Sequence, residues 1–369
     1  MSRDPCSPRK FGVRERCWPD VRSRWQAGAG SRSLVERDDG RVAGSPNCRR
    51  DRVLGPAQGC FRKRVASVIE AHGSEATPHV AESVGQLVCV CDLDGTVLRS
   101  DATLSSCARD GLNRLISAGM GVTIASGRSL QAMRALLGGV ELGLPVIGLN
   151  GALISELSSG RHLLIRALGS GTARSVVAML TAYDASPLLT TWDGKQDRVH
   201  YVEPMNSASD WWVAEKRAYG DPRLLHSKNL EVVAGEEEVV LITGFVPNES
   251  AKKVVGELRT SLAGEAIVHA GEHIYCAGWT ELQIQHPLAD KGHAIPHVLE
   301  LCGLRDATVL ACGDHLNDLG MFAAAAESIA PANAHSSVLA AATTIVATND
   351  EDGVIHWLLS RAGLTQSLD

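Results

Sequence analysis

The chain of 369 residues is 44% hydrophobic and 21% charged, with a formal net charge of −6, values ordinary for a globular protein with room for two domains and a sizeable core. No apolar run reaches the roughly 18 residues of a membrane-spanning helix, and Met1 to Arg24 lacks the apolar segment of a secretory signal, so a cytoplasmic protein is expected. The ten cysteines (Cys6, Cys17, Cys48, Cys60, Cys89, Cys91, Cys107, Cys276, Cys302 and Cys312) include no C-x-x-C pair, and no His cluster stands near them at zinc spacing. They read as reduced structural thiols, several of them small hydrophobes within apolar runs.

Residues 1 to about 80 differ from the rest. Through Arg64 there are 16 Lys/Arg and 7 Asp/Glu, a formal +9, whereas the remainder carries 20 and 35, or −15. The segment is rich in Ser, Gly, Pro and Arg and has no sustained helix or strand period, although Ala66 to Ala71 fits a short helix. Such a composition buries too little apolar surface to offset the entropy of ordering. The expected reading is a disordered leader, or an extension from a misplaced start codon, in preference to a basic arm that touches nucleic acid. The arginines are not interleaved with aromatics.

From Leu87 strands and helices alternate. Leu87 to Cys91 is a continuous apolar run that ends in Asp92-Leu93-Asp94-Gly95-Thr96. It reads as a strand buried on both faces, with its carboxylates at the C-terminal end, where open α/β sheets place ligand sites. Asp92 and Asp94, two apart, share a side if the chain stays extended. A helix follows over Ser105 to Ala118, then a strand over Gly121 to Ala125 ending in Ser126-Gly127-Arg128. A helix over Leu130 to Leu137 and a strand over Pro145 to Leu149, ending in Asn150-Gly151, complete the series. This alternation predicts right-handed crossovers and a parallel sheet. Polar residues after all three strands converge at one sheet edge.

The middle, roughly Ala152 to His286, reads differently. Strand-like pieces stand at Leu163 to Arg166, Leu188 to Thr191, Val199 to Val202, Glu238 to Val246, Ile267 to Ala270 and Glu281 to Gln285, with helices at Thr172 to Tyr183 and Ser250 to Leu262. This predicts an inserted α+β domain with an antiparallel sheet. Its aromatics, including Trp192, Tyr201, Trp211 and Trp212, are assigned to core packing in preference to a substrate pocket. The alternation then resumes. Lys291 to Cys302 is a helix, and the strand Thr308 to Cys312 leads into Gly313-Asp314-His315-Leu316-Asn317-Asp318. Asn317 to Ala325 and Val354 to Leu359 read as helices, and Ser328 to Ala330 and Thr344 to Val346 as short strands. The expected fold is α/β: a Rossmann-like parallel sheet core over 85–152 and 287–369, with an inserted α+β cap domain over 153–286.

Asp92, Asp94, Asp314 and Asp318 bring four carboxylates to two strand ends. Left together they repel and raise one another's pKa values, a cost that a divalent cation such as Mg²⁺ resolves. Arg128 and Lys291 add positive charge, and Ser126 and Asn150 add hydrogen-bond donors. That set matches a phosphoryl group, whose transfer depends on positioning and charge neutralisation. One Asp can act as a covalent nucleophile and its neighbour as acid and base.

Asp92-Leu93-Asp94-Gly95-Thr96, Ser126-Gly127-Arg128, Lys291 and Gly313-Asp314-His315-Leu316-Asn317-Asp318 resemble the four motifs of haloacid-dehalogenase-like phosphatases. The large insert, with Asn150-Gly151-Ala152 before it, resembles the Cof-type subfamily. The resemblance covers about Leu87 to Leu359. It implies that Asp92 is the nucleophile, forming an aspartyl phosphate. Asp94 would be the general acid/base and offer its backbone carbonyl to Mg²⁺. Ser126, Gly127, Arg128, Asn150 and Lys291 would line the phosphate site. Asp314 would ligate the metal beside Asp92 and Asp94, with Asp318 at the metal site and Asn317 in support, and the insert would close over substrate. Two departures stand out: Ser126 replaces a frequent Thr, and Ala330-Pro331-Ala332-Asn333-Ala334 replaces a Met-Gly-Asn-Ala run, which puts the geometry of that loop in question.

The leading expectation is therefore a Mg²⁺-dependent phosphatase acting on a small phosphorylated metabolite such as a sugar phosphate. A phosphomutase on hexose phosphates and a catalytically silent binding protein are the competing readings. Neither a membrane nor a nucleic-acid partner is expected.

Overall fold

The computed structural model describes residues 52–53, 87–273 and 275–364. The expected leader, with its helix at Ala66 to Ala71, lies outside the described residues apart from Arg52–Val53, a two-residue strand paired antiparallel with His162–Ile165. No helix among the described residues is long and apolar enough to cross a membrane.

The described chain divides into two compact units. The first comprises Arg52–Ile165 and Ala289 onward, the second Arg166–Leu288. In the first, five parallel strands form a sheet in the order Thr344–Val346, Glu327–Pro331, Thr308–Cys312, Leu87–Cys91, Gly121–Ile124. Every residue of Leu87–Cys91 is buried, and its alternating side chains enter two different cores. Leu87, Cys89 and Cys91 pack in a cluster with Leu112 and Leu115 of the helix Ser106–Ser117 and Leu358 of Gly353–Arg361. Val88 and Val90 pack with Ile295 and Val298 of Lys291–Cys302. Helices thus cover both faces, as expected for an apolar parallel strand. Chain order reverses between Leu87–Cys91 and Thr308–Cys312, so the two carboxylate motifs emerge side by side at a topological switch point.

The strand expected at Pro145 to Leu149 is Val146–Gly148, and it departs from the expectation. One parallel bridge, Ala125 to Ile147, ties it to the main sheet. Otherwise it leads a four-stranded antiparallel sheet with Leu153–Ser155, His162–Ile165 and Arg52–Val53. Residues 153–165, which the sequence reading assigned to the insert, therefore belong to the first unit, and the second begins at Arg166.

The second unit is built on a six-stranded sheet in the order Ile267–Glu272, Trp279–Gln285, Glu238–Pro247, Leu188–Trp192, Asp197–Tyr201, Leu224–His226, antiparallel except for its last pair. Helices Ser170–Ala182, Leu230–Glu236 and Asn248–Ser261 share one apolar cluster with Leu189, Ile242 and Leu282. On the other side Leu188, Tyr201 and Phe245 pack with Ala208, Val213, Trp211 and Trp212 of Ser207–Ala218, so these aromatics serve packing. Ser207–Ala218 and Leu230–Glu236 are helices that the sequence reading did not place. Asn206 and Asn229 cap them, accepting the N–H of Ser209 at 2.9 Å and of Glu231 at 2.8 Å.

Candidate active site

Each chemical group of the site is delivered by a strand or helix end of the first unit. The Asp92 N–H donates to the Cys312 carbonyl at 2.9 Å, which extends the ladder by one residue and holds Asp92 at the tip. The chain then turns over Leu93–Val97, closed by the Leu98 N–H on the Leu93 carbonyl at 2.8 Å. Gly95 makes the turn possible. Its φ is +74°, and a Cβ there would lie 2.2 Å from Asp314 Oδ2, so both backbone and space exclude a side chain.

Lys291 is the first residue of its helix, which Asp290 caps by accepting the His293 N–H at 3.0 Å. Its ammonium is 1% exposed and donates to Asp92 Oδ1 at 2.6 Å and to Asp318 Oδ1 at 2.7 Å. The other oxygen of Asp318 accepts the backbone N–H of Asp314 and of His315, each at 3.0 Å. Asp318 therefore shapes its own loop and anchors the lysine. Asp314 accepts from the Thr96 hydroxyl at 3.3 Å. Oxygens of Asp92, Asp314 and Asp318 all lie within 4.8 Å of one another.

A single ammonium among these carboxylates leaves negative charge uncompensated. Burial, then Asp318, Asp314 and Asp94, push the Asp92 carboxyl well above the usual carboxylate range against the pull of Lys291. Burial and Asp318 push Asp314 up to about 7. Burial alone would lower the Lys291 ammonium, but Asp318 and Asp92 hold it above the ordinary lysine value. An all-oxygen donor set with excess negative charge fits a hard divalent cation. Asp318 already has both oxygens engaged, so Asp92 and Asp314 carry the coordination capacity.

A second group surrounds Asp94. Arg128 grips its carboxylate in a fork, Nε to Oδ2 at 2.7 Å and Nη2 to Oδ1 at 2.5 Å. Ser126 is buried and its hydroxyl accepts the Arg128 N–H at 3.1 Å. Asn150, at φ +54°, donates its N–H to the Ser126 carbonyl at 3.0 Å and accepts from Asn317 Nδ2 at 3.1 Å. A Cβ on Gly127 would meet Asn150 Oδ1 at 3.1 Å. Nine of the ten residues singled out from the sequence thus fall into two hydrogen-bonded groups, and Gly127 lies close against Asn150 of the second. The Asp94 carboxylate stands outside the group formed by Asp92, Asp314 and Asp318, so any metal contact by Asp94 would have to come from its backbone.

Two contributors were missed. Thr96 was quoted within the motif but given no role. Asn333, in the loop whose geometry was in question, donates to the Gly95 carbonyl at 2.8 Å and accepts the Asn349 N–H at 2.9 Å. It ties that loop to the turn after Asp92. The asparagine inside the departing run was the available signal.

The sequence matches the profile of haloacid dehalogenase-like hydrolases over residues 89–358. A Bacillus subtilis protein named 5-amino-6-(5-phospho-D-ribitylamino)uracil phosphatase YwtE is 27% identical over 284 residues, covering 72% of this chain and 95% of the relative. Escherichia coli pyridoxal phosphate phosphatase YbhA is 23% identical over 286 residues, with 74% and 97% covered. Among solved structures, a haloacid dehalogenase-like hydrolase from Bacteroides thetaiotaomicron superposes with a TM-score of 0.61 at 25% identity, over 75% of this chain and 99% of that one.

Proposed function

Because the chain belongs to the haloacid dehalogenase-like hydrolases, as a Cof-type phosphoric monoester hydrolase, we propose that it is a Mg²⁺-dependent cytoplasmic phosphatase working through an aspartyl phosphate on Asp92. The substrate class is a small phosphorylated metabolite, and a sugar or sugar-alcohol phosphate is favoured, since the Bacillus subtilis relative is named for a phospho-D-ribityl compound. The observation that carries the reading is the buried Asp92 carboxylate, hydrogen-bonded to Lys291 beside Asp314 at two adjoining strand tips.

In this scheme a carboxylate oxygen of Asp92 attacks phosphorus while the bond to the leaving oxygen breaks. Asp94 supplies the proton to that oxygen, then takes one from the water that hydrolyses the aspartyl phosphate. Lys291 favours the ionised form of Asp92 and meets the developing phosphoryl charge, together with the Ser126 hydroxyl and the Gly127 backbone. Arg128 holds Asp94 until substrate arrives. Asn150 and Asn317 fix the loop that carries Ser126. Mg²⁺ would be held by Asp92, Asp314 and the Asp94 carbonyl, with Asp318 in support, and when bound it neutralises phosphoryl oxygens.

Replacing Asp92→Asn abolishes Mg²⁺-dependent phosphate release from an aryl phosphate on this reading. Release near the wild-type rate by that variant would overturn the nucleophile assignment. Parallel measurement of hexose-phosphate isomerisation and free phosphate separates hydrolysis from mutase chemistry.

A further inference from the structure

The turn that carries Asp94 is held from far along the chain. Asn333 Nδ2 donates to the Gly95 carbonyl at 2.8 Å, and Asn349 Nδ2 donates to the Leu98 carbonyl at 2.9 Å, from positions 238 and 251 residues later. The two asparagines are themselves joined, since the Asn349 N–H donates to Asn333 Oδ1 at 2.9 Å. Just beyond the turn, Asp350 accepts the Ser100 N–H at 2.8 Å and the Ser100 hydroxyl at 2.7 Å. Asp352 accepts from Arg99 Nη2 at 2.9 Å and from the Ser105 hydroxyl at 2.7 Å, and Ser105 in turn caps the helix Ser106–Ser117. Residues 95–105 are thus bonded at intervals to Asn333 and to the short segment 349–352.

That segment is fixed in its own right. The Thr348 N–H and hydroxyl donate to Glu351 Oε2 at 3.1 Å and 2.7 Å, and the Glu351 and Asp352 N–H groups donate to the Thr348 and Asn349 carbonyls. Asn349 is 3% exposed. Asp352 stands at φ +53°, a left-handed backbone that persists only where the surroundings determine it.

We infer that Asn333 and Asn349 are positioning residues for proton transfer by Asp94, which they hold in place through the backbone of the turn Leu93–Val97. This deepens the phosphatase reading proposed above and rests on it. Gly95, at φ +74°, can rotate the peptide that joins it to Asp94 at little cost, because glycine crosses between backbone regions freely. The asparagines remove that freedom. Asp92 is fixed on one flank by its bond to the Cys312 carbonyl, Gly95 is fixed on the other by Asn333, and Asn349 secures the far end of the turn at Leu98. A general acid must come within hydrogen-bond reach of the leaving oxygen, and a misplacement of ~1 Å can cost about 10²-fold in rate.

The test uses the full-length chain and the variants Asn333→Ala, Asn349→Ala and their combination, all assayed well below their unfolding temperatures. In metal-free buffer, backbone hydrogen exchange is expected to quicken about tenfold or more in peptides covering residues 93–98, and to stay unchanged in the helix Lys291–Cys302. With Mg²⁺ and an aryl phosphate, kcat is expected to fall about tenfold or more while KM stays within about twofold. The double variant should lose little more than the more impaired single one, because the asparagines act as one chain. Arg361→Ala, which breaks an exposed ion pair with Glu327, should move neither readout. Exchange that rises equally in Lys291–Cys302 marks a general stabilising role and overturns the inference, as does unchanged exchange at 93–98 or a kcat near that of the active wild type. If the wild type itself releases no phosphate, the phosphatase reading fails, and exchange alone decides whether the asparagines hold the turn. Should the double variant fail to fold, the single variants decide.

Discussion

Replacing Lys291→Met removes a charge while keeping most of the side chain's length and apolar volume. In the native protein the ammonium lies 2.6 Å from Asp92 and 2.7 Å from Asp318, and side-chain exposures are 1%, 7% and 0% respectively. Each such pair has a gross attraction of ~6 kcal/mol at an effective dielectric of about 20. Desolvation offsets much of that, and removing one partner of a buried pair typically costs about 3–5 kcal/mol. The loss depends on pH in a definite direction. Asp92 already has its pKa raised by burial and neighbouring carboxylates, and Lys291 is the group that pulls it down. Without the lysine, Asp92 is harder still to ionise. A carboxyl with a raised folded-state pKa carries no penalty below its unfolded pKa of about 4, and one that grows by about 1.4 kcal/mol per pH unit as pH rises toward the folded value. The variant should therefore lose about 3–5 kcal/mol at pH 8 and less toward pH 5, since protonation of Asp92 leaves the ammonium less negative charge to balance. Urea unfolding followed by circular dichroism, in metal-free buffer at both pH values, reads the difference. A loss below about 1 kcal/mol at pH 8, or an equal loss at both pH values, would refute the charge-balance argument.

The same logic applies to Asp314 in the unaltered protein. Its pKa of about 7 implies that the metal-free protein gains on the order of 3 kcal/mol of stability between pH 8 and pH 5 from this group, and saturating Mg²⁺ should flatten that slope in the same unfolding assay. Removing the cation with a chelator should abolish aryl phosphate hydrolysis, and re-adding Mg²⁺ should restore it. Gly95→Ala places a methyl group against Asp314 in a left-handed backbone. It should cost at least about 1–2 kcal/mol and lower kcat at least tenfold, and a variant with wild-type kinetics would show that the turn has room. Arg128→Lys keeps the charge but loses the fork on Asp94. A fall in kcat/KM on the order of tenfold, about 1.4 kcal/mol, is expected.

Much of the first unit was readable because a parallel strand covered on both faces must be apolar throughout, so its end is marked by the first polar residue. Leu87–Cys91 follows that rule throughout, Thr308–Cys312 follows it after its exposed first residue, and Gly121–Ile124 departs from it only at the buried Thr123, whose hydroxyl donates to the Pro145 carbonyl. The rule weakens where pairing is non-local and strands are short. Leu153–Ser155 and His162–Ile165 are apolar pieces like any other, and only their antiparallel partners show that they extend the first unit and do not open the second. Ser207–Ala218 escaped for a different reason. Its Trp211-Trp212 pair and polar remainder give a weak helical period, and its stability comes from the Asn206 cap and from packing on Tyr201 and Phe245.

The site shows where spacing stops being informative. Asp92 and Asp94, two apart, were expected to share a side, and in an extended strand they would. The chain instead turns within Leu93–Val97, using the left-handed Gly95. The two carboxylates consequently find different cations, Lys291 for Asp92 and Arg128 for Asp94. Two adjacent acids can hold different jobs only if their surroundings differ. Here the difference is burial: the Asp92 side chain is 7% exposed and that of Asp94 is 39% exposed. On the proposed mechanism the buried Asp92 carboxylate, paired with Lys291, is protected from water until a phosphoryl group arrives. On the same proposed mechanism the more exposed Asp94, held in the Arg128 fork, exchanges protons with a leaving group and with water. No residue type in the motif encodes that contrast. It arises because Asp92 is still in the ladder, bonded to the Cys312 carbonyl, and Asp94 has already left it.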